Sequence, residues 1–374
     1  MLKEIALALE EAVEAEIKTD DKSLARAAKA LSLAFTSDRE TLPPCYIDDR
    51  EALCAYAAAF LIPNAVKVAH ALLQLDLPGL LLNKPRLKVL DLGAGPGTAT
   101  LATAIALSRL RKNPSAEFLA VDRSRAALDL AGRLFKRVHA KGQVLETRAA
   151  PIEATGSLPA IGSRRFDLIL AANVVNELAS VEPPYRMLRL LFENYLNSDG
   201  AVVIIDPALR ETSRSLMQLR DRLLADGVAR VHAPCLHQGP CPMLAANARD
   251  WCHFYIDWER PKLIERIDAL ANMDRRHLKM SYLILRHCEE AVGRGARNDT
   301  WRAVSSPIVS KGKRELWLCG SNGELRRVRR TDRDASDANR DFDSVKRGDV
   351  VRCAACDRLG KDDVFSTAIR WRNT

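Results

Sequence analysis

Two groups of residues in this chain carry chemistry by their type and spacing. The first is the run Val89-Leu90-Asp91-Leu92-Gly93-Ala94-Gly95-Pro96-Gly97-Thr98, an apolar stretch ending in a glycine-rich turn. Glycines at alternate positions let backbone come close to a ligand, and the start of a following helix favours a negative group. Thr98 stands where a dinucleotide-binding fingerprint has its last glycine. A second carboxylate, Asp122, ends the next apolar run about 30 residues later, where it can accept both hydroxyls of a ribose. Asp91, Gly93, Gly95, Gly97 and Asp122 are therefore the expected cofactor-binding residues. S-adenosylmethionine is the expected ligand, with a nicotinamide dinucleotide as runner-up.

The methyl-acceptor side of such a site is harder to read. The apolar run Phe166–Ala171 leads into Ala172-Asn173-Val174-Val175-Asn176-Glu177-Leu178, which occupies the position facing the reacting group in folds of this type. Asn173, Asn176 and Glu177 could line the site as catalytic candidates or could simply cap the next helix. No Asp/Asn-Pro-Pro-aromatic motif for an exocyclic amine is found. No cysteine ends a core strand where a pyrimidine-carbon methyltransferase needs its nucleophile. The acceptor chemistry, and with it enzyme status, stays open.

The second group is the cysteines. Cys235, Cys241 and Cys252 fall within 18 residues, in a segment rich in Pro and poor in apolar runs. A metal would order such a segment. The spacing is not the Cys-x-x-Cys of common zinc modules, whereas an iron–sulfur cluster on four thiolates tolerates varied spacing; zinc is kept as the alternative. For the fourth ligand the residues leave Cys288, Cys319 and the Cys353/Cys356 pair. Cys288 follows an apolar run as a buried thiol would, Cys353/Cys356 has good metal spacing near a terminus, and Cys319 ends a strand-like run beside a Gly320-to-Gly323 turn.

These residues need elements to position them. Residues 1–82 read as a helical N-terminal region, with apolar spacing of three and four through Leu24–Ala28 and Ala55–Phe60, interrupted at Pro43-Pro44. Residues 83–230 alternate strand and helix: strands at Leu87–Leu92, Phe118–Val121, Phe166–Ala171 and Ala201–Ile205, helices at Thr98–Leu110 and Arg125–Val138. Unbroken apolar strands predict a parallel sheet buried on both faces. Residues 231–290 hold the cysteine-rich insertion and a last core strand at Met280–Arg286. Residues 291–374 open on a Gly/Ser-rich linker and form a small basic β module with strands near Arg314–Leu318, Leu325–Val328 and Asp349–Arg352. The expected fold is α/β: a doubly wound, Rossmann-like class I methyltransferase sheet with those additions.

Composition narrows the partners. The chain has 374 residues and a net charge of +9, a balance that favours contact with nucleic acid. Nine cysteines, an odd number, argue against a disulfide framework. The N-terminus lacks the basic start and apolar core of a secretion signal. No stretch approaches the roughly 20 uninterrupted apolar residues that span a bilayer. A cytoplasmic monomer without a membrane is expected.

The chain resembles the methyltransferase-like proteins associated with the small ribosomal subunit, found in bacteria and in mitochondria as small-subunit assembly factors. The resemblance runs from about Tyr46 to about Val351. It is carried by the Gly93–Gly97 turn, Asn176-Glu177-Leu178, Asp206-Pro207-Ala208-Leu209-Arg210, Pro234-Cys235 through Cys241-Pro242, Trp251-Cys252-His253-Phe254, Lys279-Met280-Ser281-Tyr282-Leu283 and Leu316-Trp317-Leu318-Cys319 with Gly323-Glu324-Leu325. It implies a four-iron, four-sulfur cluster on Cys235, Cys241, Cys252 and Cys319, and binding to small-subunit rRNA during assembly or translation. The chain departs from the pattern in its Asp-rich stretch 331–343 and in Cys353-Ala354-Ala355-Cys356. The expected function is that of an S-adenosylmethionine-binding, iron–sulfur-containing factor of the small subunit. The alternatives are an active RNA or protein methyltransferase with a structural cluster, and an iron- or redox-sensing RNA-binding switch.

Overall fold

A computed structural model describes residues 1–36, 46–75, 77, 84–110, 114–178, 180–288, 299–354 and 357–369. Pro43-Pro44, the middle of the Gly/Ser-rich linker and Cys356 lie outside the described residues.

Three helices lead: α1 (Leu2–Glu16), α2 (Asp21–Thr36) and α3 (Arg50–Leu72), the last with one π-helical turn at Ala57–Leu61. By length and composition α3 could cross a membrane. Two thirds of it is instead buried inside the fold. Its alanines let it pack closely: Ala55, Ala57, Ala58, Ala59 and Ala65 are all fully buried. Glu16 on α1 joins Arg133 and Arg137, and Arg266 joins Glu14 and Asp21, so the helices are tied to the domain behind them.

That domain alternates β1 (Leu87–Leu92), α4 (Thr98–Leu110), β2 (Ala116–Asp122), α5 (Arg125–Val138), β3 (Gln143–Ala149), β4 (Phe166–Ala172), α6 (Glu182–Leu190), β5 (Leu196–Asp206) and α7 (Arg210–Ala225). Ser124 caps α5 by accepting the Ala127 N–H. The segments β6 (Arg230–Ala233), α8 (Pro242–Ala246), β7 (Phe254–Asp257), α9 (Lys262–Ala271) and β8 (His277–Arg286) follow. The sheet order is β3-β2-β1-β4-β5-β8-β6, with β7 also on β8. Pairing is parallel from β3 to β5 and antiparallel at β8. One antiparallel strand at this place in a 3-2-1-4-5 sheet is the class I methyltransferase arrangement. The order reverses between β1 and β4, which opens a cleft at their carboxyl ends.

Two features of the sheet leave no apolar pattern in the sequence. β3 carries Glu146, Thr147 and Arg148 on a partly exposed edge and so lacks the apolar run that reveals the inner strands. The cysteine-rich segment starts and ends at the sheet. It is the connection between β6 and β8, both sheet members.

The C-terminal module is a second sheet: β9 (Thr300–Ala303), β10 (Ile308–Ser310), β11 (Lys313–Gly320), β12 (Leu325–Thr331), β13 (Val350–Cys353), β14 (Arg358–Leu359) and β15 (Phe365–Ile369). It has its own core around Trp301, Leu316, Leu318, Phe342 and Phe365.

Candidate functional sites

The glycine turn leaves β1 with Gly93, Gly95 and Gly97 all at positive φ, which side-chain-bearing residues rarely adopt. Asp122, at the end of β2, faces it. One carboxylate oxygen accepts the Gly95 N–H at 2.8 Å and the other accepts the Ser124 N–H at 2.8 Å. Each oxygen keeps a further lone pair for a ligand hydroxyl. Burial raises the Asp122 pKa above the usual carboxylate range. Asp91 plays another part. It is buried, and its carboxylate accepts both the N–H and the hydroxyl of Thr100, which pins the first turn of α4. It shapes the turn from below.

Burial pushes the Asp91 pKa up to about 7. The folded state then binds a proton more tightly than the unfolded chain does. Its contribution to stability is lost as pH rises from about 4 to about 7. Asp91→Asn should therefore gain stability relative to the parent as pH climbs through that window, by about 1–4 kcal/mol. Denaturant melts at pH 4.5 and pH 8 read the difference; a gain that shrinks toward pH 8 contradicts the assignment.

Asn173 ends β4 with φ +60° and donates its N–H to the Ile205 carbonyl at 2.7 Å. A non-glycine residue held there is strained, and such strain clusters at functional sites. The Asn176 N–H reaches the Asp206 carboxylate at 3.4 Å. Glu177 pairs with Arg123 at 3.3 Å. The N-terminal region supplies residues that sequence reading missed. Ile47 stands over Gly95, 3.8 Å from where a Cβ would be. Tyr46 and Tyr56 sit in the field of both Glu177 and Asp122; burial is the main cause that raises both phenol pKa values, that of Tyr56 to about 12, and the two carboxylates add to it. Nothing local in the sequence marks these residues, because they arrive from a separate helical segment. Among the described residues, Asp122, Glu177 and Asp48 act electrostatically on the groups at this cleft, with Arg123 as an opposing cation.

The second site lies where the C-terminal module meets the methyltransferase core. Cys241, Met217, Met243 and Val304 are buried together, with Cys252, Trp317 and Cys319 packed against them. Cys235 follows β6, Cys241 caps α8, Cys252 precedes β7 and Cys319 lies on β11. All four are free thiols. Burial first, then the charge of neighbouring cysteines, raises the pKa of Cys241 to about 11 and pushes Cys252 and Cys319 well up. Cys235 acts on all three, which places the four within electrostatic reach of one another. Among the described residues, no group of three or more His, Cys, Asp or Glu side chains is gathered closely enough for a single metal ion.

Two buried arginines and one half-buried arginine lie beside these thiols. Arg220 donates to the His237 carbonyl at 2.9 Å and to that of Gly239, inside the Cys235–Cys241 loop, and its neighbour Asp221 accepts the Cys241 N–H at 3.0 Å. Arg302 is the cross-strand partner of Cys319. Arg347 donates to the His253 carbonyl at 3.4 Å, one residue from Cys252. The Nε of each is buried and has no acceptor. The other candidate thiols lie elsewhere. Cys353 is buried in the module's own core, with its Sγ donating to the Ala354 carbonyl, and the Cys288 Sγ donates to the Gly227 carbonyl.

The module's arginines do not form one open basic face. Arg330 is buried, bonded to Asn339 and paired with Asp343; Arg314 pairs with the same Asp343, and Arg326 with Glu324. Asp343 of the Asp-rich stretch thus neutralises Arg314 and Arg330 from within. Arg327 and Arg329 stay exposed.

Strand order, glycine turn and the carboxylate that faces it together define a protein of the class I methyltransferase fold. The family described as mitochondrial small ribosomal subunit Rsm22 matches residues 54–361, and the chain belongs to that family. The chain is 25% identical over 247 residues to the human mitochondrial ribosome assembly protein METTL17, covering 63% of this chain and 49% of that protein. It thus spans about half the length of that relative. Solved structures with some likeness include the ribosomal protein L11 methylase of Lactobacillus delbrueckii subsp. bulgaricus, at 18% identity, 58% of this chain, 77% of that chain and a TM-score of 0.32. The citrinin polyketide synthase CMeT domain gives 17%, 71%, 66% and 0.40. The fold assignment rests on the strand order rather than on these.

Proposed function

We propose that this chain is an S-adenosylmethionine-binding, iron–sulfur-containing factor that binds the small ribosomal subunit or its rRNA and supports its assembly or translation. Membership of the Rsm22 family and the similarity to a human ribosome assembly protein support the partner. The observation that carries the rest is the convergence of four free thiols from four segments at the junction of core and module, beside buried arginine donors that have no acceptor. Sulfur in thiolates and bridging sulfide would accept those donors. Cys235, Cys241, Cys252 and Cys319 would hold the cluster, whose chemistry when bound is to bridge thiolates spaced more widely than one metal ion allows. The same residues then fix the β6–β7 connection to β11, joining the two domains into one surface.

The cleft suits S-adenosylmethionine better than a nicotinamide dinucleotide. Its carboxylates favour a ligand with a sulfonium and an ammonium and oppose a pyrophosphate. Asp122→Ala should weaken binding of the methyl donor by about 1.5–3 kcal/mol, the range for a charged hydrogen bond. Calorimetry on the anaerobic protein tests this, and unchanged affinity removes Asp122 from the site.

The Asn173–Glu177 segment at the cleft favours one second reading, an active RNA or protein methyltransferase. Labelled methyl transfer onto purified small subunits separates the two. Sedimentation with small subunits, with and without cluster, tests the leading one. RNA affinity should fall steeply with salt, and Arg327→Ala with Arg329→Ala should flatten that slope. Arg330→Ala should lower folding stability and leave the slope alone, since its guanidinium is already paired inside. A slope that ignores the exposed pair removes the module face from the RNA contact.

A further inference from the structure

Two buried arginines, Arg220 and Arg302, and the half-buried Arg347 beside one thiol group need an explanation. A guanidinium removed from water is costly unless its charge and donors are met. Arg220 meets part of this demand with Asp221 at 2.6 Å. Arg302 gives one N–H to the Gly348 carbonyl at 2.8 Å, and Arg347 reaches only His253 and the face of Tyr255. Each keeps its Nε–H without an acceptor. Neither Arg302 nor Arg347 has a carboxylate partner among the described residues. The three come from three different elements: α7, β9 and the loop before β13. Only the tertiary fold brings them to the same place.

We propose that Arg220, Arg302 and Arg347 form a cationic cage that compensates the negative charge of a thiolate-bound cluster and sets its reduction potential. This rests on the cluster reading above. A four-iron, four-sulfur core in its oxidised form with four thiolates carries two net negative charges. Three guanidiniums and the Asp221 carboxylate supply two net positive ones, which offset those charges, while the exposed Asp250 carboxylate acts more weakly on Arg347. One added electron leaves a single negative charge beside three guanidiniums, at lower cost than in an apolar pocket. Any Nε–H that met a cluster sulfur would act in the same direction, because hydrogen bonds to the sulfurs raise the potential. These are positioning and charge-compensating residues. They do not ligate iron.

The experiment uses the full chain, purified without oxygen, with iron and labile sulfide measured first. Arg302→Met, Arg347→Met and the matching Lys variants are then titrated with dithionite against redox mediators and followed by absorbance and electron paramagnetic resonance. Each Met variant should load iron as the parent does but be harder to reduce. The reduced-to-oxidised ratio at a fixed potential should fall at least tenfold, a shift of about 59 mV for one electron. The Lys variants should stay closer to the parent. Met variants that load fully and titrate like the parent overturn the cage and leave the cluster reading standing. A parent without iron overturns the cluster reading itself. Met variants that fail to load while Lys variants load support the charge requirement. If neither loads while circular dichroism remains native, the side chains act by shape, and the proposal is wrong.

Discussion

Cys319→Ser should abolish the brown absorbance of the anaerobically purified protein, as should Cys235→Ser, Cys241→Ser and Cys252→Ser. The four thiols come from different segments and face one junction, so losing any one opens the site. The Cys353→Ser/Cys356→Ser double variant should keep its iron content near that of the parent. Cys353 belongs to another core, where it is buried in one cluster with Trp301, Leu318 and Phe365 as a small apolar group. Its replacement should lower the melting temperature without touching iron. Cys288 should behave likewise, since it sits beside Gly227, past the C-terminal end of α7. Iron and sulfide analysis of each variant decides the matter. A double variant that loses iron while Cys319→Ser keeps it would show that the ligand set is wrong. One zinc and no iron in the parent would end the iron–sulfur reading.

Gly93→Ala should be among the most damaging single changes in the cofactor cleft. Two independent costs meet there. The backbone stands at φ +63°, where a Cβ costs about 1–2 kcal/mol. That Cβ would also lie 2.3 Å from Val174 Cγ2, so the turn and the Asn173–Glu177 segment must move apart. Overpacking of this kind costs about 1–3 kcal/mol. Against a total stability of about 5–15 kcal/mol, the sum is a large share. Gly95→Ala is the control. Its φ is +52°, but its Cβ would meet only Ile47 Cδ1 at 3.8 Å, an ordinary contact. Gly95→Ala should therefore pay the backbone cost alone. Adding Val174→Ala to Gly93→Ala should recover part of the stability, because it removes the clash and leaves the strain. Chemical denaturation of the four proteins gives the comparison. Equal losses for Gly93→Ala and Gly95→Ala would mean the Val174 contact does not matter. Methyl-donor affinity should fall with stability in Gly93→Ala, since the displaced segment borders the cleft.

The parts of this protein legible in its sequence are those fixed by local periodicity. β1, α4 and α5 have the bounds that their apolar patterns predict, because a buried parallel strand and an amphipathic helix each leave a repeating mark. The glycine turn was readable for a related reason: a positive φ restricts residue choice at each position separately. The half-exposed edge strand β3 left no such mark. The arginines of β12 divide between two sides. Alternate residues of a strand point to opposite sides, so Arg330 turns inward to Asp343 while Arg329 turns out, a division their number in the sequence does not reveal.

What residue type and spacing determined by themselves was the β1 turn, the carboxylate that ends the next strand and three clustered thiols. What only the tertiary structure decided was which distant groups join them. Cys319 reaches the other thiols across some 67 residues of chain from Cys252. Arg302 arrives as its strand partner, and Ile47, Tyr46 and Tyr56 close over the turn from the N-terminal helices. Such contacts depend on sheet register and on the packing of whole elements. No local rule of propensity or spacing encodes them, since their energy is released only once the strands are already paired.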